Sequence, residues 1–305
     1  MAQEVERARL KSLWSRGCSL LGVEHAILGG AMTWVSERNL VAAISNAGGF
    51  GVLACGAMTP ELLSAEIAAT RSRTSMPFGV NLITMHPDLD CLIDICADHG
   101  VGHVVLAGGL PPSASLRRIK DHGAKVLAFS PALAFAKRLA RSGVDGIIVE
   151  GMEAGGHIGP VSTSILAQEI LPELAETPIF VAGGIGRGEA IAAYLRMGAA
   201  GVQLGTRFVC AEESIAHPNF KRAFIKASAR DAQPSVQLDP RFPVIPVRAI
   251  RNAATREFAE SQREVIVRFY SGELDQKAAQ LEIERYWAGA LRRAVIEGDV
   301  ERGSV

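Results

Sequence analysis

The chain of 305 residues is poor in several features that mark whole classes of protein. It has no excess charge, because 32 lysines and arginines balance 32 aspartates and glutamates, and only 6% of its residues are aromatic. Without a basic stripe that interleaves with aromatics, we expect no nucleic acid as a partner. No run reaches the roughly 18 apolar residues of a membrane span, and the amino terminus lacks the apolar core of a signal peptide. We therefore expect a cytoplasmic protein with no membrane association.

Cysteine is scarce and irregularly spaced. The five cysteines are odd in number and form no C-x-x-C pair, which favours reduced thiols over a disulfide framework. Cys91, Cys96 and His99 share one predicted helix and are a candidate set of metal ligands, but the segment is apolar and offers no fourth ligand. We interpret them as buried helix cysteines beside a surface histidine, and we predict no metal site.

Short apolar runs alternate with amphipathic stretches over the first two thirds of the chain. Strands that alternate with helices in this way predict a parallel sheet, and eight strands close a TIM barrel. A six-stranded doubly wound sheet is the rival fold, but glycines here follow many strands and form no G-x-G-x-x-G after the first. The predicted strands are His25–Leu28, Gly51–Ala54, Gly79–Ile83, His103–Leu106, Lys125–Phe129, Gly146–Val149, Ile179–Ala182 and Gly201–Leu204.

After Phe208 the alternation stops. Prolines at 234, 240, 243 and 246 precede a charged helical stretch from Ala253 to Glu297. The predicted fold is therefore α/β, a TIM (β/α)8 barrel with a small, mainly helical subdomain after strand eight. We assign residues 1–212 to the barrel and 213–305 to a helical lid with a returning C-terminal segment. The helices predicted in the barrel are Glu37–Asn46, Pro60–Arg71, Leu89–Asp98, Ser113–Asp121, Pro131–Ser142, Ser164–Leu174 and Gly188–Met197.

An acid, two adjacent glycines and a histidine follow the sixth predicted strand, in the sequence IIVEGMEAGGHIG from 147 to 159. In barrels of this class the carboxyl ends of the strands carry the chemistry. An imidazole exchanges a proton near neutral pH, and adjacent glycines let the backbone approach a flat ligand. We predict that His157 is catalytic and that Glu150, Gly155 and Gly156 line the same site. The alternative is that His157 is a hydrogen-bonded structural residue.

Two later segments, 179–186 and 202–208, each end a buried strand in small residues just before a helix. Exposed backbone N–H groups at such turns attract phosphate, although glycines there can also serve only a tight turn. Two such turns in consecutive units favour a phosphate ligand. Asn81 ends another strand, where its amide either pairs with a heterocycle or caps the next turn. Arg207 either helps to anchor the phosphate or forms an ion pair at the barrel's far end.

Six stretches of the chain, in order, resemble a known family. They are GGFG (48–51), FGVN (78–81), GMEAGGHIG (151–159), AGGIGRG (182–188), VQLGTRFVCAEES (202–214) and HPNFK (217–221). The resemblance is to the FMN-dependent flavoproteins that include nitronate monooxygenases (2-nitropropane dioxygenases) and FMN-dependent enoyl-acyl carrier protein reductases. GMEAGGHIG, AHPNFK, VRAIRN (247–252) and EGDVERGSV (297–305) are closer to the enoyl reductases, while GVEH (22–25) also occurs in the monooxygenases.

This resemblance implies a TIM barrel that holds FMN, with the phosphate at Gly183–Gly184 and Gly205–Thr206 and with His157 as the catalytic histidine beside the flavin. In the reductase branch, NADH or NADPH reduces the flavin, which passes hydride to an enoyl thioester. In the monooxygenase branch, the flavin oxidises a nitronate and dioxygen reoxidises it. The implied cofactor-binding residues are Gly30, Ala31, Met32, Asn81, Glu150, Gly155, Gly156, Ala182, Gly183, Gly184, Gln203, Gly205 and Thr206.

The leading expectation is therefore an FMN-dependent oxidoreductase that reduces an enoyl thioester with NAD(P)H. A nitronate monooxygenase is the alternative, and a phosphate-ligand barrel without redox activity is the third. We expect a small-molecule or acyl-thioester substrate, with an acyl carrier protein and a homodimer as further candidate partners. Two stretches depart from the family pattern: Ala26 and Gly29 replace the Pro and Gln of P-x-x-Q-G-G-M, and the lid sequence at 233–246 follows neither branch closely.

Overall fold

The computed structural model describes residues 2–239, 241 and 246–305, so Pro240 and Pro243 of the proline-containing segment lie outside the described residues. For residues 2–7, 284 and 288 only the backbone is described. The chain divides into two compact units. One runs to Glu153 and resumes over Pro160–Ile215, and the other comprises Ala154–Gly159 and Ala216–Val305.

The first unit is a closed barrel of eight parallel strands, which confirms the predicted TIM barrel. Each strand pairs with the next along the chain, and the last pairs with the first. All eight predicted strands form, with bounds that shift by at most two residues. The strands are β1 (Ile27–Gly29), β2 (Phe50–Ala54), β3 (Phe78–Ile83), β4 (His103–Ala107), β5 (Lys125–Ser130), β6 (Gly146–Glu150), β8 (Ile179–Ala182) and β9 (Gly201–Leu204), while β7 (Gly156–His157) belongs to the second unit.

Helices connect the barrel strands, and local chemistry sets where they begin. Thr59 caps α4 by accepting a hydrogen bond from the Leu62 amide, and Pro60 occupies the first helical position. The Glu37 carboxylate accepts from the amides of Asn39 and Leu40 at the start of α3. The helices are α1 (Ala2–Leu13), α2 (Ser15–Leu21), α3 (Arg38–Asn46), α4 (Pro60–Arg71), α5 (Leu89–Asp98), α6 (Ser113–Asp121), α7 (Leu133–Ser142), α8 (Thr163–Ile170), α9 (Gly188–Arg196) and α10 (Thr206–Val209).

Alternate residues of the barrel strands pack into two different apolar clusters, because side chains along a strand point to opposite faces. The inner cluster fills the barrel and is closed at the strands' amino ends by Trp14 and Leu21. The outer cluster lies between the strands and the helices. This alternation assigns the remaining strand positions: a residue two places beyond an inner residue also faces inward. Inner residues include Leu28, Phe50, Val105, Leu127, Ile148 and Phe180, and outer residues include Val104, Val126, Ile147, Val149, Val181 and Val202.

The second unit combines a three-stranded sheet with helices. The sheet has the order β10 (Ala232–Pro234), β11 (Val247–Ile250) and β7, and all its pairings are antiparallel. The helices are α11 (Pro218–Lys226), α12 (Ala253–Tyr270) and α13 (Gln276–Arg292), followed by a π-helical turn at Arg293–Glu297. Val247 of β11 packs into a core with Phe258, Val265, Ile283 and Trp287. Asn252 Nδ2 donates to the carbonyls of Val300 and Gly303, each at 2.7 Å, and so holds the C-terminal segment in place.

Of the two cysteines on α5, Cys96 is buried as predicted, whereas Cys91 is exposed, so the prediction of burial is wrong for Cys91. All five cysteines are free thiols, and burial raises the pKa values of Cys55 and Cys96 to about 12. His99 Nε2 lies 2.8 Å from the Ser64 hydroxyl. Within the described part of the chain, no three His, Cys, Asp or Glu side chains are placed to hold a metal ion. No helix described here has both the length and the apolar character to cross a membrane.

Candidate active site

Three polar side chains lie at the carboxyl ends of barrel strands and face inward. Glu150 is two residues beyond the inner residue Ile148 and is in register with Ala182, which in turn is in register with Gln203. Asn81 occupies the corresponding position on β3, where it is in register with the inner residue Val105. Below this level the inward side chains are apolar except for His103 at the start of β4, which packs on Phe50. A ligand at the strands' carboxyl ends therefore meets two amides and a carboxyl group.

Asn81 and Gln203 are held differently, and each keeps hydrogen-bonding capacity. Asn81 is 5% exposed, and its Nδ2 donates to the Val105 carbonyl at 2.9 Å. Gln203 is 8% exposed and packs over Gly30, where an added Cβ would lie 3.3 Å from the Gln203 Cδ and Nε2 atoms. None of the described residues forms a hydrogen bond with the Gln203 side-chain amide or with Asn81 Oδ1. These atoms can therefore pair with a ligand at no cost in protein hydrogen bonds.

Glu150 ends β6 as a partly buried acid. Among the residues described, none pairs with its carboxyl group by a hydrogen bond or an ion pair. Burial without a compensating partner penalises the charged form and raises the pKa of Glu150 to about 8. The carboxyl group is therefore protonated at neutral pH, where it can donate a hydrogen bond and can take up or release a proton.

The loop after β1 is a tight turn that places Gly30, Ala31 and Met32 at the same end of the barrel. The Gly30 amide donates to the Leu204 carbonyl at 2.9 Å. The Ser36 hydroxyl donates to the Gly30 carbonyl at 2.8 Å and accepts from the Met32 amide at 3.0 Å. Within this turn Trp34 has φ of 67°, and it is the one non-glycine residue with positive φ in the described part of the chain. Such strain in a bulky residue concentrates at functional sites.

The turn after β8 supplies the first of the two predicted phosphate positions. Gly183 and Gly184 have φ values of 104° and 69°, a conformation that favours glycine. A Cβ on Gly184 would lie 2.9 Å from Glu153 Cβ, so a side chain there would displace the loop after β6. Glu153 holds that loop, since its carboxylate accepts from the Thr163 amide at 2.8 Å and the Thr163 hydroxyl at 2.9 Å. The glycine turn is thus built to keep its backbone accessible.

The second predicted phosphate position lies after β9, where Gly205 precedes α10. No side chain caps this helix, and a Cβ on Gly205 would lie 3.7 Å from Met32 Sδ, so this loop is close to the loop after β1. Thr206 and Arg207 are exposed. Arg207 follows the carboxyl end of β9, and no ion pair to it is formed by the residues the structure describes. The expected alternative of an ion pair at the barrel's far end is therefore wrong.

The structure places Gly155, Gly156 and His157 in the second unit. Gly156 and His157 form β7, which pairs with β11 so that His157 is in register with Val247 and Gly156 with Arg248. The Ile158 amide donates to the Pro246 carbonyl at 2.9 Å and extends this contact. His157 is exposed. The sequence pattern gave no sign of a strand at Gly156–His157, because the partner strand lies about ninety residues further on.

The barrel residues have the chemistry that a phosphorylated heterocycle requires. Its ring edge needs amide and acid partners, which Gln203, Asn81 and Glu150 offer, and its phosphate needs accessible backbone N–H groups, which the glycine turns offer. The residues present therefore fit FMN. The sequence analysis did not identify three residues whose hydrogen bonds hold the loops of the site: Ser36 in the loop after β1, and Glu153 with Thr163 in the loop after β6. Only the Ser and Thr positions near turns hint at such hydrogen bonds.

These features define the class of protein: a TIM barrel with polar side chains and accessible glycine turns at its strands' carboxyl ends. The family described as nitronate monooxygenase matches residues 15–92 and 87–305. A protein of Mycobacterium tuberculosis named (3aS,4S,5R,7aS)-5-hydroxy-7a-methyl-1-oxo-octahydro-1H-indene-4-carboxyl-CoA dehydrogenase is 34% identical over 80% of this chain and 68% of its own. The Rhodococcus jostii protein of the same name is 36% identical over 72% of this chain, which spans 62% of that relative's length.

Solved structures agree with this assignment. FabK of Thermotoga maritima superposes with a TM-score of 0.83 and 37% identity, over 95% of this chain and 86% of that one. The nitroalkane oxidase of Streptomyces ansochromogenes gives a TM-score of 0.77 and 25% identity, over 95% and 90% of the two chains. The chain belongs to the nitronate monooxygenase family. It is an oxidoreductase, and its family and these two neighbours are flavin enzymes.

Proposed function

We propose that this protein is an FMN-dependent oxidoreductase that reduces the carbon–carbon double bond of an enoyl thioester with NADH or NADPH. The observation that carries the proposal is the inward polar layer of Asn81, Glu150 and Gln203 beside the open glycine turn at 183–184. The thioester is favoured by the relatives. FabK is an enoyl-acyl carrier protein reductase, and the two CoA dehydrogenases act, by their names, on a CoA thioester.

Each barrel residue has a distinct part in this proposal. The backbone at Gly183–Gly184 and Gly205–Thr206 holds the phosphate of FMN, and Gly30, Ala31, Met32 and Ala182 leave room for its ring. The amides of Asn81 and Gln203 orient the ring edge, and the protonated Glu150 donates a hydrogen bond to it. When bound, FMN supplies the two-electron relay between the nicotinamide and the substrate's β-carbon.

The second unit supplies the proton in this proposal. Gly155 and Gly156 leave the backbone of β7 open to a ligand, and His157 delivers a proton from its imidazole to the α-carbon of the thioester. Hydride at the β-carbon and a proton at the α-carbon together balance the reduction of the double bond. The nicotinamide is oxidised in the same turnover.

Anaerobic stopped-flow spectroscopy tests the proposal. NADH or NADPH is expected to bleach the visible absorbance of the bound flavin, and crotonyl-CoA is expected to restore it. A flavin that neither nicotinamide reduces would overturn the proposal. Acyl carrier protein as the natural carrier, and a homodimer, are tested by repeating the second step with crotonyl-acyl carrier protein and by sedimentation.

A nitronate monooxygenase is the second candidate, and a specific relationship favours it. A Paraburkholderia phytofirmans protein named nitronate monooxygenase is 30% identical over 69% of this chain and 70% of its own. Oxygen consumption with propyl-2-nitronate and without nicotinamide would support this activity, and its absence would exclude it. Membership in a family of oxidoreductases favours both of these activities over a barrel without redox chemistry.

A further inference from the structure

Of the three side chains in the inward polar layer of the barrel, only Glu150 can ionise. Its neighbour on β8 is Ala182, in register with it, and Phe129 lies below it on β5 against the inner cluster. The other polar members of the layer, Asn81 and Gln203, are amides and do not ionise. No partner in the described part of the chain neutralises the Glu150 carboxyl group. A change of charge within this layer is therefore a change at Glu150.

Besides Glu150, the eight barrel strands carry two titratable side chains, His103 and Lys125. Both lie at the amino ends of their strands, β4 and β5, which is the opposite end of the barrel from the polar layer. The thiol of Cys55, just after β2, belongs to the outer cluster, and burial raises its pKa to about 12. It therefore stays uncharged over the pH range in which Glu150 titrates.

The charged side chains of the surrounding loops and helices do not act on Glu150 either. In the loop after β6, Glu153 already accepts two hydrogen bonds, and after β8 Arg187 pairs with Glu189 at 3.2 Å. Arg207, after β9, is exposed. The helices α7 and α8 pack on the outer face of β6, away from the polar layer. Burial alone raises the pKa of Glu150, and no charged group among the residues described contributes to the shift.

Reduction of a bound flavin would change the electrostatic environment of this carboxyl group. A hydride brings two electrons and one proton, so the ring that accepts it gains one negative charge. A charged carboxylate beside the ring opposes that gain, whereas a neutral carboxyl group does not. The coupling is reciprocal, so negative charge on the ring strengthens the binding of a proton at Glu150.

We propose that Glu150 is a redox-linked proton-binding site, whose carboxylate takes up a proton from solvent when the flavin beside it is reduced and releases that proton when the flavin is reoxidised. The inference rests on the proposed function, in which Glu150 contacts the ring. The nicotinamide supplies two electrons and the proton of the ring as hydride, and solvent supplies the second proton. Because the pKa of Glu150 is about 8, uptake occurs above about pH 8, while below it the carboxyl group is protonated in both states.

Spectroelectrochemical titration of the holoenzyme from about pH 7 to about pH 10 tests the proposal without nicotinamide or thioester. For a two-electron couple, each proton taken up lowers the midpoint potential by about 30 mV per pH unit, because one pH unit is a tenfold change in proton activity. In the wild type this slope should double above about pH 8. Glu150→Gln keeps the shape and a hydrogen-bond donor but cannot ionise, so its slope should not change. Glu169→Gln, which removes an exposed carboxyl group of α8, should behave as the wild type.

Infrared difference spectra of the oxidised and reduced holoenzyme at about pH 9 give a second readout. Reduction should produce the band of a protonated carboxyl group in the wild type and no such band in Glu150→Gln. The proposal is overturned if the wild-type slope stays constant across this pH range, or if it doubles equally in Glu150→Gln. The two wild-type measurements decide the matter even if Glu150→Gln does not hold FMN. Nicotinamides that fail to reduce the flavin would overturn the proposed function but leave this titration unaffected, so the two failures are distinguishable.

Discussion

Glu150 is the residue whose chemistry depends most on its place in the fold. It ends β6 at the inward level, and no described residue compensates its charge, so its pKa lies near 8 instead of the usual 4.5. A carboxyl group that stays protonated at pH 7 can act toward a bound ring as a donor, a role that an ordinary glutamate cannot fill. The same burial carries a cost to the folded state that depends on pH.

The sign of that cost follows from the two pKa values. The folded state keeps its proton on Glu150 up to about pH 8, whereas the unfolded chain loses it near pH 4.5. The penalty is therefore absent below about pH 4.5, grows as the pH rises, and is complete above about pH 8. Glu150→Gln should raise the free energy of unfolding by about 2–4 kcal/mol at pH 8.5 and hardly change it at pH 4.5.

Urea unfolding of the FMN-free protein at the two pH values measures this effect. Glu169→Gln removes an exposed carboxyl group of α8 and should give the same small change at both pH values. Equal stabilisation by Glu150→Gln at pH 4.5 and 8.5 would contradict a raised pKa.

His157 carries the second prediction at this scale. If its imidazole delivers a proton, His157→Ala should lower turnover by about 10²- to 10⁴-fold while the protein keeps its flavin, because the residues proposed to hold the phosphate lie in the barrel. Steady-state rates normalised to bound flavin measure this. Full activity in His157→Ala would remove the residue from the mechanism.

At the scale of elements, hydrophobic periodicity predicted the strands and helices of the barrel. It did not predict the strand β7, which forms by pairing with a distant segment. The barrel strands are apolar on both faces and the helices are amphipathic, so each leaves a local pattern, and α4, α5 and α6 have the bounds predicted for them. The strand β7 has only two residues, Gly156 and His157, and exists because β11 pairs with it. No local pattern predicts such a strand. Glu150 was predictable because it ends an apolar run, whereas Asn81 and Gln203 lie within β3 and β9, and Gln203 was expected only from the family resemblance.

The packing of α3 against β2 gives a prediction for one glycine. A Cβ on Gly51 would overlap the Val41 carbonyl oxygen, which belongs to the backbone and cannot rotate away as a side chain can. Gly51→Ala should therefore force α3 away from β2 and reduce the free energy of unfolding by about 1–3 kcal/mol. Gly102→Ala is the matched control, because a Cβ there meets no atom within 4 Å. Chemical denaturation compares the two, and equal stability would show that the helix moves freely on the strand.

At the scale of the whole molecule, the sequence was sufficient for the barrel because eight strands with similar spacing admit few closed arrangements. The division of the chain was harder to predict. Residues 154–159 group with Ala216–Val305, although they lie within the sequence of the barrel. The predicted boundary after residue 212 lies close to the end of the barrel unit at Ile215. Residues 154–159 join the second unit through contacts such as the hydrogen bond from the Ile158 amide to the Pro246 carbonyl. Composition along the sequence does not predict such long-range contacts.

Ligand linkage connects the glycine turn to the stability of the whole chain. If the turn at 183–184 binds the phosphate of FMN, FMN at about 100 times its Kd should add about 2.7 kcal/mol to the free energy of unfolding. Riboflavin lacks the phosphate and should add much less at the same concentration. In Gly184→Ala the φ of 69° and the 2.9 Å approach to Glu153 Cβ should distort the turn, so FMN should lose its advantage over riboflavin.

Gly186→Ala lies in the same loop, where a Cβ meets no atom within 4 Å, and should keep the preference for FMN. Thermal unfolding of the three proteins with each ligand measures these differences. Equal stabilisation of the wild type by riboflavin and FMN would place the phosphate elsewhere. A preference for FMN that survives in Gly184→Ala would assign phosphate binding to Gly205–Thr206 alone, because the turn after β9 is the other backbone available to it.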